Sequence, residues 1–302
     1  MRFAVIDLGT NTFHLLIVDR DGEEWRTVHR ERIFVRLAEE GIHLIGPSAY
    51  ERGLAAVEIF REHLIRFDIP PEGVPAFGTA ALRTAGNAPD FLREVQRRTG
   101  IVAEVIGGER EALLIYQGVR QAVPFPDHPV LVMDIGGGSV EFILADRSQV
   151  FWHRSFPVGV AVLYRRFHKK DPIAPGDIAA VEQFLDDILV DFWAALAQYP
   201  TTTLIGAAGA FDIIDHLLLD PATKPLLYGW IPASGFLPLY DHIINSTLLE
   251  REQMHQLSPE RREMVVVGMI LIRYVLERGG LKEIYTSVYS MKEGMLSSYL
   301  RK

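Results

Sequence analysis

Residues 130–144 read VLVMDIGGGSVEFIL. Four apolar residues run into an acid, Asp134. After Ile135 come Gly136, Gly137, Gly138 and Ser139, and then apolar and polar residues alternate again. This pattern predicts a strand, a tight turn and a second strand. The three glycines carry no Cβ, so the backbone reaches positive φ and its N–H groups come close to a ligand. A phosphate suits that loop, although a plain glycine-rich hairpin has the same composition.

A second copy of the pattern favours the phosphate. Residues 4–18, AVIDLGTNTFHLLIV, superpose on it without a gap: Asp7 falls on Asp134, Gly9 on Gly136, Thr12 on Ser139 and Leu16 on Ile143, with Thr10 and Asn11 inside the turn. Two hairpins, each with an acid ending its first strand and a glycine and a hydroxyl in its turn, are expected to grip one phosphate chain from opposite sides. Duplicated α/β domains facing a cleft follow from that repeat.

DLGTNTFHL and DIGGGSVEF resemble the two phosphate motifs of the actin-like ATPase superfamily, and more closely those of the exopolyphosphatase and guanosine pentaphosphate phosphohydrolase family. GTAALRTAGNAPDFL at 78–92, IGGEREALLIYQGV at 106–119, SFPVGVAVL at 155–163 and GAAGAFDII at 206–214 are similar to further segments of that family in the same order. The resemblance spans nearly the whole chain. It implies two ribonuclease H-like domains and hydrolysis, dependent on Mg²⁺ or Mn²⁺, of the terminal phosphoanhydride of inorganic polyphosphate, with guanosine pentaphosphate as a further substrate. It also implies a homodimer, in a short form without the C-terminal helical domains of larger members.

Composition agrees with an enzyme of this kind. A chain of 302 residues, 48% hydrophobic and 23% charged, is ordinary for a globular protein with two cores. It has no cysteine, which excludes disulfides, thiolate metal sites and a cysteine nucleophile. No basic-then-apolar leader is evident at the N-terminus, and the apolar run 264–276 is interrupted by Arg273 and too short to span a bilayer. A cytoplasmic location is expected. The net charge of −8 argues against broad binding to nucleic acid or membranes. A polyphosphate substrate then needs metal ions and a local basic strip. Residues 165–170, RRFHKK, are the densest basic run, to be read either as a solvated helix end or as a guide for a polyanion.

Along the chain, strands are expected at 2–7, 12–19, 24–35, 74–77 and 101–105, and helices at 47–67, from 87 and at 109–121, with a short helical segment carrying Arg83. The proline-rich segment 124–129 divides domain 1–124 from domain 125–302, and the closing helix from residue 290 is expected to pack on the first domain. The second half reads as strands at 149–156, 203–205 and 283–286. Its helices are expected at 159–168, 175–199 without interruption, 210–219, 234–245 and 260–278.

By the resemblance, Glu111 activates the attacking water, Arg83 stands near the substrate, and Asp134 and Glu141 hold or orient the metal with help from Asp7. The phosphate contacts are then Gly9, Thr10, Asn11, Thr12, Gly136, Gly137, Gly138 and Ser139, and Gly206 and Gly209 approach a nucleotide. Plainer readings exist for several of these residues. Glu111 also suits a helix dipole, Arg83 a surface ion pair, Asp134 and Glu141 a structural pair, and His14, the counterpart of Glu141, a satisfied buried histidine. Three departures from the family pattern stand out: Arg110 where a second acid is usual, alanines at 207, 208 and 210 where hydroxyls occur, and Lys292 for an arginine. A phosphatase specific for the pentaphosphate, a kinase of the actin-like superfamily and a non-catalytic polyphosphate or alarmone sensor are the alternatives. Arg110 and the alanines favour the last.

Overall fold

The computed structural model describes residues 1–21 and 24–300, residue 300 by its backbone alone. The chain forms two compact units, Met1–Gly118 with Met291–Lys302, and Val119–Ser290.

The first unit is built on strands β1 (Arg2–Leu8), β2 (Thr12–Asp21), β3 (Glu24–Phe34), β4 (Ala76–Gly78) and β5 (Ala103–Val105), in the sheet order β3-β2-β1-β4-β5. The first three are antiparallel, and β4 and β5 run parallel to β1. Its helices are α1 (Pro47–Arg66), α2 (Ala80–Thr84), α3 (Ala88–Thr99) and α4 (Gly108–Ala122), and the division between the units falls inside α4. Ala4, Ile6 and Leu8, together with Phe13, Leu15 and Ile17, alternate along the hairpin onto one face. Leu54, Val57, Phe60 and Leu64 meet them from α1 at helical spacing. Each side chain of this size contributes about 1.5–3 kcal/mol on burial.

The second unit contains β6 (Val130–Ile135), β7 (Val140–Ala145), β8 (Val150–Phe156), β9 (Thr203–Ala207), β10 (Tyr228–Pro232) and β11 (Glu283–Ser287) in the order β10-β11-β9-β6-β7-β8. Read from β8, the sequence β8-β7-β6-β9-β11 repeats the 3-2-1-4-5 order of the first unit, and β10 is an added antiparallel edge. The expected pair of ribonuclease H-like sheets is therefore present. Helices α5 (Val160–Phe167), α6 (Pro175–Ile188), α7 (Val190–Gln198), α8 (Gly209–Leu218), α9 (Ala233–Asn245), α10 (Leu248–Gln253) and α11 (Val265–Gly279) complete the unit. Every residue of β6 and β7 is buried, as befits strands covered on both faces. Helix α12 (Met291–Leu300) belongs to the first unit, where a Cβ on Gly294 would collide with the Leu114 carbonyl of α4. Among the described residues, no helix is long and apolar enough to cross a membrane.

Several elements differ from the sequence-based expectation, the short helix α10 among them. The single helix 175–199 is two, α6 and α7, which meet at Leu189 (φ −95°, ψ 18°), a residue wholly buried in the core. No proline or glycine marks the break, so packing makes it. The helix expected from residue 260 starts at Val265, because Arg261 is drawn to Asp212 and Arg262 Nε donates to the Leu257 carbonyl at 3.2 Å. Strand β10 was not expected at all. Gly229 and Pro232 mask it, and both are tolerated because it is an edge strand.

Candidate active site

In the second unit, Asp134 and Glu141 are direct cross-strand partners on β6 and β7, so their side chains share one face of the sheet. Both are buried, at 7% and 1% exposure. Glu141 Oε1 accepts from Ser139 Oγ at 2.7 Å and from Ser155 Oγ at 2.6 Å, while Asp134 Oδ2 accepts from Ser290 Oγ. Serine hydroxyls thus help to hold both carboxylates.

The loop between them is fixed from below. Gly136 N–H donates to the Ser139 carbonyl at 3.0 Å, closing the turn. Val160 and Ala161, in the first turn of α5, donate to the carbonyls of Gly136 and Gly137 at 3.0 and 2.9 Å. The carbonyls are thus occupied, whereas the backbone N–H groups of Gly137 and Gly138 have no backbone acceptor among the described residues. A loop with satisfied acceptors and available donors is an anion cradle.

The first unit repeats the backbone and changes the side chains. Gly9 N–H donates to the Thr12 carbonyl at 3.1 Å, and the Thr10 and Asn11 carbonyls accept from Leu37, Val35 and Arg36. The Thr10 hydroxyl is used locally: Oγ1 accepts from Ala81 N–H at 3.1 Å, supplying the cap that Thr79 does not give α2. Opposite Asp7 stands His14.

Helices α2 and α4 bring Arg83 and Glu111 together. Arg83 Nη1 donates to Glu111 Oε2 at 3.1 Å and to the Ile106 carbonyl at 2.8 Å. Glu111 sits in the first turn of α4 and is 7% exposed, while the Arg83 side chain is 29% exposed. Arg83 Nε and Nη2 have no hydrogen-bond acceptor among the described residues, so part of its fork remains available to a phosphate. Arg110 is turned away from this pair. It bonds Glu104 and lies over the Phe77 ring at 4.5 Å, so the departure from the family pattern puts its charge elsewhere.

Other sequence candidates resolve into packing. A Cβ on Gly206 would strike the Phe211 ring, and one on Gly209 (φ +50°) the Ile135 carbonyl, so both glycines are accounted for by close approach within the unit. Part of the exposed basic run is engaged within the unit. Arg166 lies 4.2 Å over the Phe184 ring, Lys169 Nζ donates to the Arg165 carbonyl at 3.1 Å, and His168 is buried beside Asp171. Lys292 lies 3.4 Å from the wholly buried Glu293, which Arg30 approaches at 3.8 Å. Two residues that the sequence reading did not assign to the site are Ser155 and Ser290. The register Glu141↔Ser155 across β7 and β8 was the one signal for Ser155, and Ser290 becomes a neighbour only through the tertiary fold.

A sequence model of the Ppx/GppA phosphatase family matches residues 16–302. An exopolyphosphatase from Cytophaga hutchinsonii is 35% identical, with a TM-score of 0.94 over 100% of this chain and 98% of that one. An exopolyphosphatase-like protein (24% identity, TM-score 0.89, 100% and 99% covered) and the PPX-GPPA enzyme of Aquifex aeolicus (24%, 0.80, 99% and 99%) share the fold.

Proposed function

The chain belongs to the Ppx/GppA phosphatase family, and on that premise we propose that this phosphoanhydride hydrolase removes the terminal phosphate of inorganic polyphosphate. The observation that carries the reading is Glu111, a buried carboxylate at a helix start that pairs with Arg83, whose fork stays partly available. Hydrolysis needs charge neutralised on the transferred phosphoryl group, a water in line and a group to take its proton. In our reading Glu111 takes the proton and Arg83 orients it while binding a phosphate oxygen. The N–H groups of Gly137 and Gly138 hold phosphate oxygens, and the loop of Gly9, Thr10, Asn11 and Thr12 does the same in the first unit.

The donor set fits a hard divalent cation. Asp134 offers carboxylate oxygen at the rim of a glycine loop, and Mg²⁺ or Mn²⁺ is commonly held by one or two carboxylates plus substrate phosphates. When bound, such an ion neutralises phosphate charge. Asp134 would hold it, Glu141 would orient the surrounding hydroxyls of Ser139 and Ser155, and Asp7 is the corresponding acid of the first unit. Nothing in the packing of Gly206 and Gly209 calls for a nucleotide, which ranks guanosine pentaphosphate second. Of the two features that favour a non-catalytic sensor, Arg110 and the alanines at 207, 208 and 210, the first is engaged with Glu104 and Phe77.

The test is phosphate release from long-chain polyphosphate with Mg²⁺, run for the parent and for Glu111→Gln. The parent is expected to be active and the variant about 10²–10⁴-fold slower, the usual worth of a positioned general base. Release from guanosine pentaphosphate alone would transfer the assignment to that substrate. Binding of polyphosphate without release would make the protein a sensor.

A further inference from the structure

The strongest unassigned cluster of side chains lies on the first unit, between β3 and α1. His29 and Glu31 are two apart on β3 and so share a face, while Arg30 between them faces Glu293 of α12. A register shift in the β2–β3 ladder stands immediately before His29: Ile17 pairs with His29 but Val18 with Thr27. Such bulges re-aim side chains. From α1, His63 completes the group. His63 Nε2 lies 3.4 Å from Glu31 Oε2, His29 Nε2 lies 3.6 Å from the same oxygen, and the two imidazole rings are 4.2 Å apart.

One donor atom from each of the three residues lies within 4.8 Å of the others. With bond lengths of about 2.0–2.2 Å, a tetrahedral ion separates its ligands by about 3.3–3.5 Å. Two of the three edges already match that spacing. His29 Nε2 is also shut off from solvent with no hydrogen-bond partner among the described residues. A buried polar atom left in that state calls for an occupant. Burial first, and then the neighbouring His63, hold the His29 pKa below the usual histidine range.

We propose that His29, Glu31 and His63 form a binding site for a borderline divalent metal of the Zn²⁺ class, separate from the hydrolytic residues and pinning β3 to α1. Two imidazoles and one carboxylate are the donors such an ion prefers over Mg²⁺, which takes oxygen. The partial exposure of all three side chains leaves the remaining coordination position to water. Arg66, one turn beyond His63 on α1, is the nearby cation that weakens the site.

The test uses the full chain, stripped with a chelator and titrated calorimetrically with Zn²⁺ in excess Mg²⁺, which saturates carboxylate-only sites. About one equivalent is expected to bind and to raise the melting temperature. His29→Gln and His63→Gln, which preserve volume, should each weaken binding by about 100-fold or more, beyond the loss typical of a supporting residue. Asp134→Asn should leave it intact, and His63→Gln should release phosphate with Mg²⁺ at the parent rate. Nitrogen NMR of the unmutated chain gives a reading independent of how the variants fold: the His29 and His63 Nε2 resonances should move on adding Zn²⁺. Absence of Zn²⁺ binding by the parent, unmoved imidazole resonances, or binding that persists in both histidine variants would overturn the proposal.

Discussion

The two hairpins have the same backbone and different chemistry. Each closes its turn with one hydrogen bond from a glycine N–H, at 3.1 Å in the first and 3.0 Å in the second. Across from the acid, however, the first hairpin places His14 and the second Glu141. The turn hydroxyls are placed differently as well: Thr10, which aligns with Gly137, is consumed capping α2, whereas Ser139, the counterpart of Thr12, donates to Glu141. A duplicated loop can thus keep the geometry that cradles an anion in both copies while the charge that would hold a metal is concentrated in one.

The sharpest way to break that comparison is to neutralise the two acids in turn. Asp134→Asn is expected to cut phosphate release by about 10³-fold, since, on the proposal that this carboxylate holds the metal, its loss removes several kcal/mol of charge stabilisation. Asp7→Asn should cost about 10–100-fold. Equal losses, measured as kcat/KM on polyphosphate, would mean that the two acids contribute alike. One step smaller, Glu141→Gln is expected to lower activity about 10–100-fold by loosening Ser139 and Ser155, while His14→Gln stays near the parent. A severe His14 defect would place chemistry in the first hairpin that its neighbours do not suggest.

Stability separates the turns more gently. A Cβ at position 9 would lie 2.7 Å from the Thr12 carbonyl oxygen, against 3.1 Å from the Ser139 oxygen at position 136. Gly9→Ala should therefore destabilise by about 1–3 kcal/mol, and Gly136→Ala by less, read as shifts of the urea midpoint. The smallest effect concerns the hydroxyls. Thr10→Val should cost about 1 kcal/mol of stability through the lost cap and little rate, whereas Ser139→Ala should slow the reaction and leave the midpoint near that of the parent. Reversal of that pattern in melting and rate measurements would exchange the roles of the two side chains.

Much of the architecture was legible because its signals are local. Strand, glycine turn, strand is written within 15 consecutive residues at 130–144, and the duplicate at 4–18 revealed the repeat. The place of Glu111 in the first turn of a helix was legible for the same reason, whereas its role came from the resemblance alone. What escaped depends on neighbours distant in sequence. Nothing near Leu189 signals that its helix breaks there, and β10 exists because β11 offers it an edge, despite Gly229 and Pro232. Ser290 holds Asp134 from 156 positions away. The direction taken by Arg110 was set by Glu104 and Phe77, and no spacing rule along one helix would have found it.

The membership of α12 in the first unit has a consequence for the order of synthesis. Residues 1–118 leave the ribosome well before the helix that seats Gly294 against the Leu114 carbonyl, and the entire second unit is translated in between. Until residues 291–300 emerge, the flank of α4 at Leu114 lacks the neighbour it has in the folded unit. Its partner has all of its own residues in hand sooner. The later half is thus positioned to mature first, and a nascent chain stalled short of residue 291 carries one finished unit and one lacking a wall.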